Sequence, residues 1–262
     1  MVRLGLRLVA LLYLAFLLAL PVGTVFWRTF EHGAGPVWDA LTRPNAVHAF
    51  QLSAIVAMSA VVCNTVFGVG MALLLVRHEF VGRRVLDALL DLPVAVSPVV
   101  VGLALILVYG RTTGVGAWLG DRGLDIVFAT PGMVVATIFV SLPLVVRAVA
   151  PVLEEIGTEQ EQVAWTLGAT TLQTFRRITV PAIRWALVFG VVLTLARGLG
   201  EYGAVAVVSG RLVGQTQTAT LFVEERFQDF DQAAAYAMAF ALAGMAIVVL
   251  AATNLLRPGG GA

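Results

Sequence analysis

Residues 54–76 read AIVAMSAVVCNTVFGVGMALLLV, twenty-three positions without a charged side chain. The hydrocarbon core of a bilayer takes about 20 apolar residues in helical form. Backbone groups in lipid must be bonded internally, so the run is a spanning helix rather than a strand. Five further stretches reach similar length: Leu8–Trp27, Leu92–Gly110, Ile126–Val146, Trp185–Val208 and Ala233–Leu256. Across the chain 59% of residues are apolar and 13% charged, and the mean hydropathy is +0.92. Soluble domains carry about a quarter charged residues, and a chain so poor in charge cannot cover a soluble surface. The expected fold is all-α: a polytopic membrane protein of six transmembrane helices, one domain over residues 1–262.

Several chemistries are excluded by composition. All 17 basic residues are arginine and the net charge is +1, so no basic field points to nucleic acid. The single cysteine, Cys63, forbids an intrachain disulfide, and the three histidines are far apart. No HExxH, CxxC, GxxxxGK[ST] or GxSxG pattern occurs; metal, phosphate-loop and serine-nucleophile chemistry lack their motifs. The expectation is no catalytic residue, no metal and no cofactor in this chain, with any ATP bound by another chain.

Arg3 and Arg7 precede the first stretch as in a signal peptide. That stretch has full spanning length and no A-x-A site, so it is expected to be retained. With the N-terminus in the cytoplasm, ten arginines fall on inner segments, six on outer loops, and Arg197 inside the fifth stretch. The positive-inside rule then places both termini in the cytoplasm.

The longest inner connection spans residues 147–184 and carries Glu154, Glu155, Glu159 and Glu161. Ile156, Val163 and Leu167 fall near one helical face, and Ala164 and Gly168 form a small-residue pair. An amphipathic helix along the inner membrane surface is expected, either packed on its own bundle or docked to a partner. Inside the fifth stretch Arg197 and Glu201 are four apart and are expected to share a helix face. Charges within a membrane face a partner or an aqueous path. Two readings stay open: the pair neutralises itself and fixes packing, or Arg197 eases passage of a doubly negative anion. Gly190, Gly198, Gly200 and Gly203 around it, and Ser97-Pro98 in the third stretch, fit close packing or a gating break, with packing the commoner use.

The inner connection contains Gln162-Val163-Ala164, three residues, Gly168, nine residues, then Ile178-Thr179-Val180-Pro181. It resembles the EAA loop of bacterial ABC importer permeases: E-A-A, three residues, G, nine residues, I, one residue, L-P. Ala164, Gly168, Ile178 and Pro181 match; Gln162, Val163 and Val180 replace glutamate, alanine and leucine. Further along come Leu92-Pro93-Val94-Ala95-Val96-Ser97-Pro98, then Arg197-Gly198-Leu199-Gly200-Glu201-Tyr202-Gly203-Ala204, Val208-Ser209-Gly210 and Gly214-Gln215-Thr216-Gln217-Thr218. Together these resemble the sulfate/thiosulfate ABC transporter permeases, the W-type of their two permease subunits, over nearly the whole chain.

That resemblance implies a type I importer permease fold whose spans two to five form the translocation core with a second, T-type permease chain. It implies ATPase coupling through Glu161, Gln162, Val163, Ala164, Leu167, Gly168, Ile178 and Pro181, with Gly168 ending the docking helix and Pro181 starting the next span. Ser97, Pro98, Arg197, Gly200, Glu201, Tyr202 and Gly203 are the implied path or gate, and Arg211 and Arg226 the implied contacts to a binding protein. The implied partners are the second permease subunit, two ATPase subunits holding ATP and Mg, and a periplasmic or lipid-anchored sulfate-binding protein, at a bacterial inner membrane. The competing readings are a molybdate or tungstate permease of the same fold, and an ion-coupled secondary transporter using the Arg197/Glu201 pair, for which an internal repeat would be expected.

Overall fold

The computed structural model describes residues 2–256, without the side chains of residues 2–5, 8, 18, 250 and 252–256. Arg257 and the side chain of Arg3, which entered the charge asymmetry, lie outside the described residues. The elements are α1 (Val9–Phe30), α2 (Ala34–Thr42), α3 (Pro44–Arg77), α4 (Arg83–Ala95), α5 (Pro98–Tyr109), α6 (Gly114–Gly120), α7 (Thr130–Ile156), α8 (Glu159–Thr166), α9 (Thr171–Leu199), α10 (Gly203–Val208), α11 (Ala219–Gln228) and α12 (Gln232–Leu256). Among the described residues there is no strand. Among the described residues five helices are long and apolar enough to cross a membrane, and α4 with α5 gives a sixth if the bent pair counts as one span.

Two expected spans are broken. α4 and α5 meet at 109°, so the stretch from Leu92 to Gly110 is not one straight helix. The cause is Pro98: a proline pushes the preceding residue out of the α region, and Val96 and Ser97 take ψ near 134°. The fifth stretch stops at Leu199 and resumes at Gly203 as α10. Several other helices run beyond the expected stretches at one end, while α7 begins at Thr130, inside the expected start. α3 starts at Pro44, and its first turns pack on the start of α11: Ser53 Oγ accepts the Ala219 N–H at 2.8 Å. α7 runs on to Ile156, which therefore belongs to a span and not to the amphipathic helix. α9 begins at Thr171 with a capping box between Thr170 and Gln173. Pro181 consequently does not start the span; it follows a π-turn over Phe175–Thr179, in which the Val180 N–H reaches the Phe175 carbonyl. That wider turn accommodates a residue without an N–H.

Apolar burial does not drive helices together inside lipid, so small residues that admit close approach do most of the packing. α3, α7 and α9 form the centre. A Cβ added at Gly68 would lie 2.6 Å from Val145 Cβ, one at Gly190 3.0 Å from Val145 Cα, and one at Gly198 3.2 Å from Ala57 Cα. Asn64, fully buried, ties α3 to α7 by donating from Nδ2 to Ile138 O (3.0 Å) and Ser141 Oγ (2.8 Å). α12 packs outside this centre, where Ala237 and Met238 join Ala46, Ala49 and Phe222 in one apolar cluster.

Candidate functional site

Two places combine unusual geometry with exposed groups. The first is α8 and the turn after it. Gly168 takes φ +85°, its N–H reaches Trp165 O at 3.0 Å, and the Ala169 N–H reaches Ala164 O at 3.0 Å. This is a Schellman ending, whose left-handed position favours glycine, so Gly168 does end the helix. Val163 (58% exposed) and Leu167 (83%) point out of the molecule. Trp165 and Leu172 are exposed as well; Trp165, one turn after Glu161, lines a cavity with Arg77 and Thr179, and the apolar periodicity of the connection did not single out either residue. Gln162 is exposed and donates to Thr158 Oγ1 at 3.0 Å. Ala164 and Ile178 are half-buried, while Pro181 is exposed.

Glu161, among the expected coupling residues, faces inward and not outward with Val163 and Leu167. It is buried, its Oε2 lies 3.2 Å from Arg77 Nε, and its Oε1 accepts from Thr179 Oγ1 at 2.8 Å. A carboxylate in this setting is held by internal donors because burying it unpaired would be costly. It faces the spans, on the side of α8 away from Val163 and Leu167.

The second place is where the two broken spans meet. A Cβ on Gly203 would lie 3.0 Å from Pro98 Cβ, and one on Gly102 only 2.8 Å from the Ala204 carbonyl oxygen. The breaks at Ser97 and at Gly200–Tyr202 are thus packed together, α5 against α10. Glu201 lies beyond the end of α9, so it does not share a helix face with Arg197 as expected. The two still pair, with Arg197 Nη2 3.4 Å from Glu201 Oε2. Glu201 is held from three sides: Oε1 accepts the Ala204 N–H at 3.1 Å, and its backbone oxygen accepts from Thr220 Oγ1 at 2.9 Å. The carboxylate side chain is 2% exposed and that of Arg197 45%. Ser97, Gly200 and Tyr202 are also exposed at this level. A half-exposed guanidinium within an otherwise apolar span needs a polar neighbour or water on its open side.

The segment between α10 and α12, expected as an outer loop, answers differently for its two arginines. Arg211, at φ +56°, donates to Ala206 O at 3.2 Å and pairs with Glu224 at 3.1 Å, yet keeps half its side chain exposed. Arg226 lies over the Phe222 ring and pairs with Glu225 and Asp229, leaving 24% exposed. Elsewhere on loops, Arg111 grips Asp125 through two hydrogen bonds of 2.8 and 2.7 Å, and holds that carboxyl below its ordinary pKa.

Comparison with known proteins follows the same lines. Residues 64–259 match the family described as binding-protein-dependent transport system inner membrane component. A sulfate transport system permease protein CysW from Synechocystis sp. is 46% identical over 95% of this chain and 90% of its own length. The protein of that name from Escherichia coli is 44% identical over 95% and 86%. A sulfate transport system permease protein CysT from Salmonella typhimurium is 38% identical over 95% and 90%. The backbone superposes on a bacterial ABC transporter involved in the import of alginate with a TM-score of 0.79, covering 97% of this chain and 94% of that one at 17% identity. The chain belongs to the binding-protein-dependent permease family, among its sulfate transport members.

Proposed function

From that membership we propose that the chain is the W-type permease subunit of an ATP-driven sulfate importer, with thiosulfate as a second substrate. The observation that carries the reading is the similarity to sulfate transport permeases over nearly the whole chain, both breaks and α8 included. In this reading the chain does no covalent chemistry. A T-type permease subunit completes the path, and two ATPase subunits hold ATP and Mg. A periplasmic or lipid-anchored binding protein delivers sulfate at the outer face, where Arg211 is the better-placed of the two outer arginines because its guanidinium keeps an open side.

Val163 and Leu167 form the surface that docks in a cleft of the ATPase, a helix-in-groove contact. Ser97, Arg197, Gly200 and Tyr202 face the path at the meeting of the two breaks. Alternation follows from the two conformations binding nucleotide and binding protein differently. Both termini are cytoplasmic at a bacterial inner membrane, on the side of α8. The test is radiolabelled sulfate uptake by sulfur-starved cells lacking other sulfate importers, with and without this chain, with unlabelled molybdate as competitor. Loss of an uptake that molybdate barely affects is the expected result; sulfate uptake that persists without the chain contradicts it.

A further inference from the structure

Arg77 ends α3, and its guanidinium reaches two other elements directly and a third through Glu161. Nη1 donates to Leu153 O at 3.0 Å and Nη2 to Gly157 O at 2.7 Å, both carbonyls at the C-terminal end of α7. A cation there is favoured by the unpaired carbonyls and the helix dipole. Its Nε edge meets Glu161 of α8 at 3.2 Å, and Glu161 in turn accepts the Thr179 hydroxyl from the π-turn of α9 at 2.8 Å. The side chains of Arg77 and Glu161 are only 12% and 10% exposed. Four elements therefore converge on one ion pair.

A buried ion pair is a poor source of stability, because desolvation offsets its attraction. Its directed, charge-assisted bonds do fix relative position in a way that sliding apolar contacts do not. The helical turn sets which way the load runs. At 3.6 residues per turn, Val163 and Leu167 lie about 200° and 240° around α8 from Glu161, so the exposed face and the clamped face are opposite one another.

We propose that Arg77, Glu161 and Thr179 are positioning residues forming a clamp that makes α8 move as one body with α3, α7 and α9. The clamp rests on the reading of α8 as the ATPase-docking element. A push on the Val163/Leu167 face is delivered through Glu161 to the inner ends of three spans at once, rather than absorbed by bending of the connections at Gly157 and Gly168.

The test uses the complete complex in proteoliposomes with its ATPase and binding protein, and reads sulfate imported per ATP hydrolysed. Glu161→Gln keeps an acceptor for Thr179 but removes the charge facing Arg77; Thr179→Val keeps the ion pair and removes the hydroxyl. The expected result is a fall of about tenfold for Glu161→Gln, the scale of an ordinary coupling free energy, and a smaller fall for Thr179→Val, with the ATPase still bound. An unchanged ratio in both overturns the clamp. If Glu161→Gln does not assemble, Thr179→Val decides, and an unchanged ratio there overturns it. Leu167→Asp separates the underlying reading: ATPase still bound to that variant defeats docking through α8, whereas ATPase lost there with unchanged ratios in the clamp variants defeats the clamp alone.

Discussion

Removing Arg197 tests the meeting of the broken spans most sharply. The Glu201 side chain is 2% exposed, and Arg197 is the cation it pairs with at 3.4 Å. In Arg197→Ala, Oε1 keeps the Ala204 N–H, but Oε2 is left buried without its counter-charge. Breaking one side of a buried pair costs about 3–5 kcal/mol. Because Arg197 is half solvated and one carboxylate oxygen stays bonded, the lower end, ~3 kcal/mol, applies. In Arg197→Ala/Glu201→Gln the buried charge is gone and the amide oxygen still accepts from Ala204, so the loss falls to about 1 kcal/mol, that of one hydrogen bond. The difference is about 2 kcal/mol, roughly thirtyfold in an unfolding equilibrium. Denaturant unfolding of the purified complex, followed by the fraction that stays monodisperse, measures both variants. Equal stability of the single and double variants would refute the argument that Arg197 compensates a buried carboxylate.

Gly68→Ala should destabilise by about 1–3 kcal/mol through overpacking, since its Cβ would lie 2.6 Å from Val145 Cβ, whereas Gly70→Ala meets nothing within 4 Å and should be neutral or slightly stabilising in the same thermal-shift series. Gly168→Ala should cost about 1 kcal/mol because the residue holds a left-handed φ, seen as earlier proteolysis between α8 and α9 at unchanged detergent-extracted yield. The Arg111 hydrogen bonds hold the Asp125 carboxyl below its ordinary value of 3.8. A depressed carboxyl pKa contributes stability above the unfolded value and loses it as pH falls through the folded one. Protease access to the loop around Asp125 should thus stay flat from neutral pH down to that range and rise below it; Asp125→Asn should remove the pH dependence, and a persisting one would contradict the assignment.

How much could be read from residues alone depended on whether the deciding contact was local. The apolar run from Ala54 to Val76 announces a span by itself, because the bilayer rewards length and lack of charge. Its true start at Pro44 does not, since residues 44–53 are held by distant contacts such as Ser53 to Ala219 at the start of α11, more than a hundred residues away. The glycines were legible as a set but not one by one: Gly190 and Gly198 serve close packing, Gly203 packs on Pro98, and Gly200 marks the break itself. Proline gave the sharper signal, yet whether Pro98 kinks a span or is absorbed by packing depends on the α10 segment that folds against it. Gly168 was legible because a Schellman ending is written in neighbouring residues. The role of Glu161 was not, because Arg77 lies 84 positions away and nothing in an amphipathic pattern tells an inward glutamate from an outward one.

In the proposed function, ATP hydrolysed on partner subunits drives the movement of sulfate through this chain. The direct measurement is radiolabelled sulfate import into proteoliposomes holding the whole complex and an external binding protein, with ATP and Mg trapped inside or omitted. Import is expected only when ATP is trapped inside, unaffected by collapsing proton and sodium gradients. Import that proceeds without ATP and stops when an ion gradient is collapsed would contradict it and make the chain a secondary transporter.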